Sequence, residues 1–283
     1  MEPPSASVFP YAKWEAQLPD LAARYRQAAP FPHITLENFL EDALARRLAQ
    51  EFPGPRETAW IHYKHYNENT LGRNKRDEFP CETGLVIDEF NSARFASFVS
   101  QLTGIAGLVA DPDLDGAGMH QTEPGGFLNI HADFSAHHHQ KQWRRRVNLI
   151  LYLNPDWQPG WGGELEFWDR DMRACVTKIP PLLNRAVFFT TNELSFHGYP
   201  APIKFPPGAS RKSLALYYYT VETESNSAGE STRYRPLPGQ GARSSFMIWA
   251  DNQALSLYSG LKRKLGFSDD LAGKILGWFS RKK

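Results

Sequence analysis

Apolar residues recur along this chain with two different periods, and the change of period divides it. In the first part they return every three or four residues. Leu40, Leu44, Leu48 and Phe52 fall on one face and predict a helix over 41–51. Phe95, Phe98, Val99 and Leu102 predict a second over 93–103, with Ser92 placed to cap its start and Gly104 to end it. Residues 67–76 are polar, follow neither period and read as a loop, and residues 1–30, rich in Pro and Ala, read as a partly ordered lead-in. From about Gly118 the period shortens to two. Val147, Leu149, Leu151 and Leu153 share one face of a strand and Asn148, Ile150 and Tyr152 the other. Residues 164–168, 186–190 and 213–220 are further strand candidates between Pro and Gly turns. Many short strands so separated indicate a sandwich or barrel with helices packed against it. After Val221 the chain is polar and rich in Gly, Ser and Pro to about Ser245, and two amphipathic segments follow, 250–265 and 269–279. The expected division is a helical support region of the same domain (1–114), a β core (115–222), and a linker with C-terminal helices (223–283).

Composition narrows the classes of function. A chain of 283 residues is long enough to bury a large core without staples. Its 32 Lys and Arg against 31 Asp and Glu leave a net charge of +1, so phosphate neutralisation is a poor basis for its activity and no nucleic-acid partner is expected. No apolar run approaches the length of a membrane span, and the N-terminus has neither the basic start nor the apolar stretch of a secretory signal. Cys81 and Cys175 are too few for a disulfide framework or a thiolate metal site. The expectation is a cytoplasmic protein. Lys262, Arg263, Lys264, Lys274, Arg281, Lys282 and Lys283 make the C-terminus basic; a helix pair docked on the barrel is favoured there over contact with an anionic membrane.

Three signals carry chemistry. In His131-Ala132-Asp133, alternate strand residues point the same way, so an imidazole and a carboxylate stand side by side. His197 follows 66 residues later, after the apolar strand 186–190 and before a Pro-rich turn. Two histidines and one carboxylate suit a ferrous ion that keeps positions open, whereas structural zinc prefers a closed set, usually with thiolates. Arg211 opens a strand in which Ser213, Ala215 and Tyr217 share its face, leaving a slot with a guanidinium at one end that can grip a carboxylate. The run His137-His138-His139 reads as a polar loop in preference to a second metal site, and Arg145 and Arg146 as its solvated far end.

His-x-Asp, a distal His and Arg-x-Ser together resemble the pattern of the Fe(II)- and 2-oxoglutarate-dependent dioxygenases. The stretch from Asn148 through Tyr152-Leu153-Asn154-Pro155-Asp156-Trp157 to Gly162-Gly163-Glu164-Leu165 is similar to that of their prolyl 4-hydroxylase-like branch. The resemblance covers about 115–220, and more loosely Pro30-Phe31-Pro32-His33-Ile34 with the helix after it. It implies a double-stranded β-helix of jelly-roll, cupin-like kind. Iron would be held by His131, Asp133 and His197. The far carboxylate of 2-oxoglutarate would lie on Arg211 with the Tyr152 hydroxyl as second contact, O2 would take the last position, and ascorbate is admitted as a reductant. The implied reaction is hydroxylation of an unactivated C–H bond with release of succinate and CO2. With Asp133 present, halide has no seat, so hydroxylation is favoured over halogenation. Gln121 stands ten residues before His131, where the branch often has a co-substrate-binding Tyr, and is expected to contact the same carboxylate. Ala215 stands at a position often held by Thr. A peptidyl or free proline is the leading substrate; a small molecule or a glycan or natural-product precursor is the alternative, and a metal- or ligand-binding β-barrel sensor is the non-enzymatic one.

Overall fold

The computed structural model describes residues 8–57, 60–140, 142–223 and 231–265. Helices α1 (Tyr11–Glu15), α2 (Leu18–Gln27), α3 (Asp42–Glu51), α4 (Cys81–Phe90) and α5 (Ala93–Thr103) come from the N-terminal part. Interleaved with them are β1 (His33–Leu36), β2 (Ile61–His65) and β3 (Glu68–Arg73). Strands β4 (Val109–Ala110), β5 (Gly118–Thr122), β6 (Phe127–Ala132), β7 (Trp143–Tyr152) and β8 (Leu165–Trp168) follow. The chain continues through β9 (Cys175–Ile179), β10 (Arg185–Thr190), β11 (His197–Tyr199), β12 (Arg211–Val221), β13 (Arg233–Tyr234) and helix α6 (Ala242–Leu265).

The strands pair antiparallel in the order β1-β10-β7-β12-β5-β3-β6-β11-β8-β9, with β2 on β3, β4 on β12 and β13 on β6. The sheet curls on itself as a double-stranded β-helix, so one face turns outward to the helices and the other lines a cavity. Alternation along β7 and β12 makes the two faces different. Val147, Leu149, Leu151, Leu214 and Leu216 are fully buried in one core with Leu48, Phe95 and Val99 of the helices. Each such side chain contributes roughly 1.5–3 kcal/mol by leaving water. Asn148, Ile150, Ser213, Ala215 and Tyr217 face the cavity instead.

The helix signals are realised at both ends of α5. The Ser92 hydroxyl accepts from the Phe95 N–H at 3.1 Å, and Gly104 ends the helix at φ 76°, a conformation open to glycine without strain. Three expectations change. Residues 68–73 are the strand β3, not a loop: Glu68 and Thr70 face the polar cavity, so the strand has no apolar alternation to reveal it. The lead-in contains α1 and α2, whose Tyr11, Trp14, Leu18, Leu21 and Tyr25 are buried; Trp14 donates to the Phe39 carbonyl and Tyr25 bonds Thr190. Helix α6 begins at Ala242, inside the stretch read as linker. The segment 269–279 and the end of the basic tail lie outside the described residues.

Candidate active site

Antiparallel pairing of β11 with β6 sets His197 directly across from His131, with ring centroids 4.4 Å apart. Asp133 follows β6 by one residue. The Nδ1 atoms of His131 and His197 lie 2.9 and 2.8 Å from the carbonyls of Asn129 and Ser195. A carbonyl only accepts, so each ring carries its proton on Nδ1 and turns the Nε2 lone pair inward. Asp133 Oδ1 lies 3.3 Å from His131 Nε2, and Oδ2 3.5 Å from His197 Nε2. All three ligand atoms fall within 4.8 Å of one another, the one such His/Cys/Asp/Glu group among the described residues. Burial lowers the His197 imidazole to about 4, against the pull of Asp133, so it is neutral near pH 7. Burial would raise the Asp133 carboxyl, but Arg145 beside it, then His197 and His131, bring it far below the usual carboxylate range. Two imidazoles and one carboxylate fit a ferrous ion with open positions. Neither cysteine belongs to the group.

Arg211, at the start of β12, is 4% exposed. Its Nε donates to the Gly163 carbonyl at 2.8 Å and its Nη2 to the Tyr152 hydroxyl at 3.1 Å, and its plane lies over the Tyr199 ring at 4.1 Å. No carboxylate pairs with it among the described residues. Burial raises the Tyr152 phenol even beside Arg211, so it stays protonated. Gly163 is required here: it sits at φ 82°, and a Cβ would stand 3.0 Å from the Arg211 side chain. A buried guanidinium without an anion is a seat for a carboxylate.

Between these ends lies a cavity of about 260 Å³. Its far wall is built by Glu68 and Thr70 of β3, Tyr234 of β13 and Leu255 of α6. Tyr234 pairs with His131 across the β13–β6 ladder, and its ring lies 5.3 Å from the His131 ring. Its hydroxyl donates to Glu68 at 3.2 Å. His65 holds this wall together, with Nδ1 2.7 Å from Asp251 of α6 and Nε2 3.4 Å from Glu68. Burial disfavours its charge, but the bonds to Asp251 and Glu68 prevail and raise it to about 9.

His131, Asp133 and His197 come together, Tyr152 reaches Arg211, and Gln121 joins neither group. Strand parity on β5 turns Gln121 to the helix side, where its amide donates to the Pro53 carbonyl at 2.9 Å. His120, directly across from Ser213, faces the cavity in its place. Its buried Nε2 has no hydrogen-bond partner among the described residues, and burial lowers it to about 4. The His137–His139 run is a structural anchor. The N–H groups of His139 and Gln140 donate to His137 Nδ1 at 3.0 Å each, which puts the proton on Nε2, 3.1 Å from Asp111. His138 Nδ1 lies 2.5 Å from Asp115. Sequence reasoning passed over Arg145 and Asn148. Arg145 Nη2 and Asn148 Nδ2 both reach Asp133 Oδ2, at 3.0 and 2.7 Å. The signal for Asn148 was a polar residue on the inward face of an otherwise apolar strand.

Residues 117–219, which hold all three converging ligands and Arg211, match the 2OG-Fe(II) oxygenase superfamily. This segment is thus similar to a 2OG-Fe(II) oxygenase domain. The cofactors of a 2OG-Fe(II) oxygenase are Fe(II) and 2-oxoglutarate with O2, and the donor set above fits them. The chain is 25% identical over 196 residues to the prolyl 3-hydroxylase OGFOD1 of Mus musculus, an alignment covering 67% of this chain and 33% of that protein. It thus spans about a third of the length of that relative. A prolyl 4-hydroxylase of Pseudomonas putida superposes with a TM-score of 0.50 at 21% identity, over 71% of this chain and 98% of that one. That likeness is one of fold. A Trichoplax adhaerens prolyl hydroxylase, solved with a hypoxia-inducible-factor peptide fragment, gives a TM-score of 0.48 at 19% identity, over 73% of this chain and 92% of that one.

Proposed function

We propose that this oxygenase hydroxylates an unactivated C–H bond of a prolyl substrate, peptidyl or free, and releases succinate and CO2. The observation that carries the reading is the pairing of two ends in one cavity: a His-Asp-His group whose ligand atoms lie close enough to share a metal at one, and an arginine without a carboxylate partner among the described residues at the other. His131, Asp133 and His197 would hold iron, and Arg211 with Tyr152 would hold the far carboxylate of 2-oxoglutarate. When bound, iron supplies the oxygen-activating chemistry in which 2-oxoglutarate is split and one oxygen atom goes to the C–H bond. The residues do the rest. Arg211, 4% exposed, gives the dianion a charge partner at a buried position, where the contact is stronger than in open solvent. Tyr152, kept protonated by its surroundings, donates or relays a hydrogen bond at the same end. His131 and His197 turn Nε2 inward because their Nδ1 protons are committed to carbonyls. Tyr217 and Tyr234 line the cavity, and flat aromatic walls suit a pyrrolidine ring.

The wall that β13 and α6 add also favours a second reading, hydroxylation of a compact small molecule, because Tyr234 and Leu255 help bound a cavity of only about 260 Å³. The test is to give Fe(II) and 2-oxoglutarate to anaerobic protein, admit oxygen and quantify succinate with a His131→Ala control. Succinate that disappears in the variant supports the oxygenase reading. Absence of both succinate and the visible charge-transfer band of the iron–2-oxoglutarate chelate would sink it. Prolyl peptides and small molecules screened by mass shift then separate the two substrates.

A further inference from the structure

We propose that Arg145 and Asn148 are positioning residues that commit one oxygen of Asp133 to the protein, so that only the other is presented to the metal. This rests on the reading of His131, Asp133 and His197 as the iron site. A six-coordinate ion held by two imidazoles and one carboxylate oxygen keeps three positions open. If both carboxylate oxygens bound, two would remain, and a chelating 2-oxo acid would fill them.

The backbone aims Arg145 at this task. Cavity-facing residues of β7 are Asn148 and Ile150, so strict alternation would turn Arg146 inward and Arg145 outward. The ladder with β12 breaks the phase: Tyr218 pairs with Val147 but Tyr219 with Arg145, leaving Arg146 as the extra residue of a β-bulge. Arg145 therefore points in, 3% exposed, while Arg146 bonds Glu222 outside at 2.7 Å. The Arg145 guanidinium lies 3.3 Å over the Tyr217 ring and 4.6 Å from the Phe134 ring, which fixes its plane. Its Nε donates to Asn148 Oδ1 at 2.8 Å. Arginine only donates, so the amide oxygen must face it and the amide nitrogen must face Asp133. Thr191 reinforces this orientation from 3.3 Å. Oδ2 thus receives Asn148 at 2.7 Å and Arg145 at 3.0 Å, and turning the carboxylate to offer both oxygens would break both bonds.

The test loads the full chain with Co(II), whose visible d–d bands report coordination number, before any 2-oxoglutarate is added. In Arg145→Gln the bands are expected to change in position and intensity. Co(II) affinity should stay within about threefold of wild type while 2-oxoglutarate affinity falls about tenfold or more. Arg145→Lys, which keeps the charge but not the fork, should fall between. Asn148→Ser removes only the amide donor and carries the same test if Arg145→Gln does not fold. Unchanged bands in a folded variant overturn the proposal. So does a loss of Co(II) affinity as large as the loss of 2-oxoglutarate affinity, which is the mark of a purely structural role. If the wild-type chain shows no His131-dependent Co(II) binding, the iron-site reading itself fails.

Discussion

Two arginines are buried in one cavity to nearly the same degree, and their surroundings are opposite. Arg145 is saturated: Asp133 neutralises it, Asn148 accepts from it and Tyr217 covers its face. Arg211 has a carbonyl, a phenol and an aromatic face but no anion. A buried cation that already has its anion acts through that anion, and one that lacks it is open to a ligand. Equal burial therefore says little about role, and the partner inventory says most of it.

The contrast is most exposed to refutation by exchanging each arginine for Met. Arg145→Met strands Asp133 without its main charge partner and should cost about 3–5 kcal/mol of apo stability. Arg211→Met removes a cation that has no anion and should change apo stability by less than about 1 kcal/mol. It should weaken 2-oxoglutarate binding by roughly 100-fold. Urea midpoints and titration of the charge-transfer band read the two effects, and equal destabilisation by both substitutions would erase the distinction.

His65 sharpens the same point, because its charge can be switched off. Its folded value of about 9 lies above the ordinary 6.5 of histidine. Its contribution is therefore complete below about pH 6.5 and is lost as pH rises through about 9, on the order of 3 kcal/mol in all. Melting temperature followed from pH 6.5 to 9.5 should fall more steeply in wild type than in His65→Gln. Parallel curves would mean that the Asp251 and Glu68 contacts are not ionic.

Gly163→Ala probes how closely Arg211 is held. The strained φ and the contact with the Arg211 side chain should cost about 1–2 kcal/mol and weaken 2-oxoglutarate about tenfold. The smallest effect is expected at Gln121, which faces away. Gln121→Ala should cost about 1 kcal/mol through its lost bond to Pro53 and leave 2-oxoglutarate affinity within about twofold. A tenfold loss of affinity there would return Gln121 to the co-substrate.

The parts of this molecule that were legible in the chain are those where one local rule decides. Ser92 and Gly104 bracket α5 because capping is a matter of a few residues, and the alternation in β7 shows because its outer face meets a helical core. The nearness of His131 to Asp133 was legible because spacing and strand parity decide it. What stayed hidden depended on partners far away in sequence. Strand β3 looks like a loop because its inner face meets a polar cavity, not a core. The choice between His120 and Gln121 turns on the phase of β5 against β12, and Arg145 turns on a bulge defined only by pairing with β12. No window of sequence contains either fact.

The wall made by β13 and α6 lies outside the segment that matches the oxygenase family, and it follows every ligand-bearing strand in chain order. During synthesis from the N-terminus, the triad and Arg211 leave the ribosome before Tyr234 does. The nascent chain thus passes through a stage at which it holds the parts for metal and co-substrate but not the finished enclosure. Selection can accordingly rework the late-made wall, and with it the choice of substrate, without touching the residues that do the chemistry.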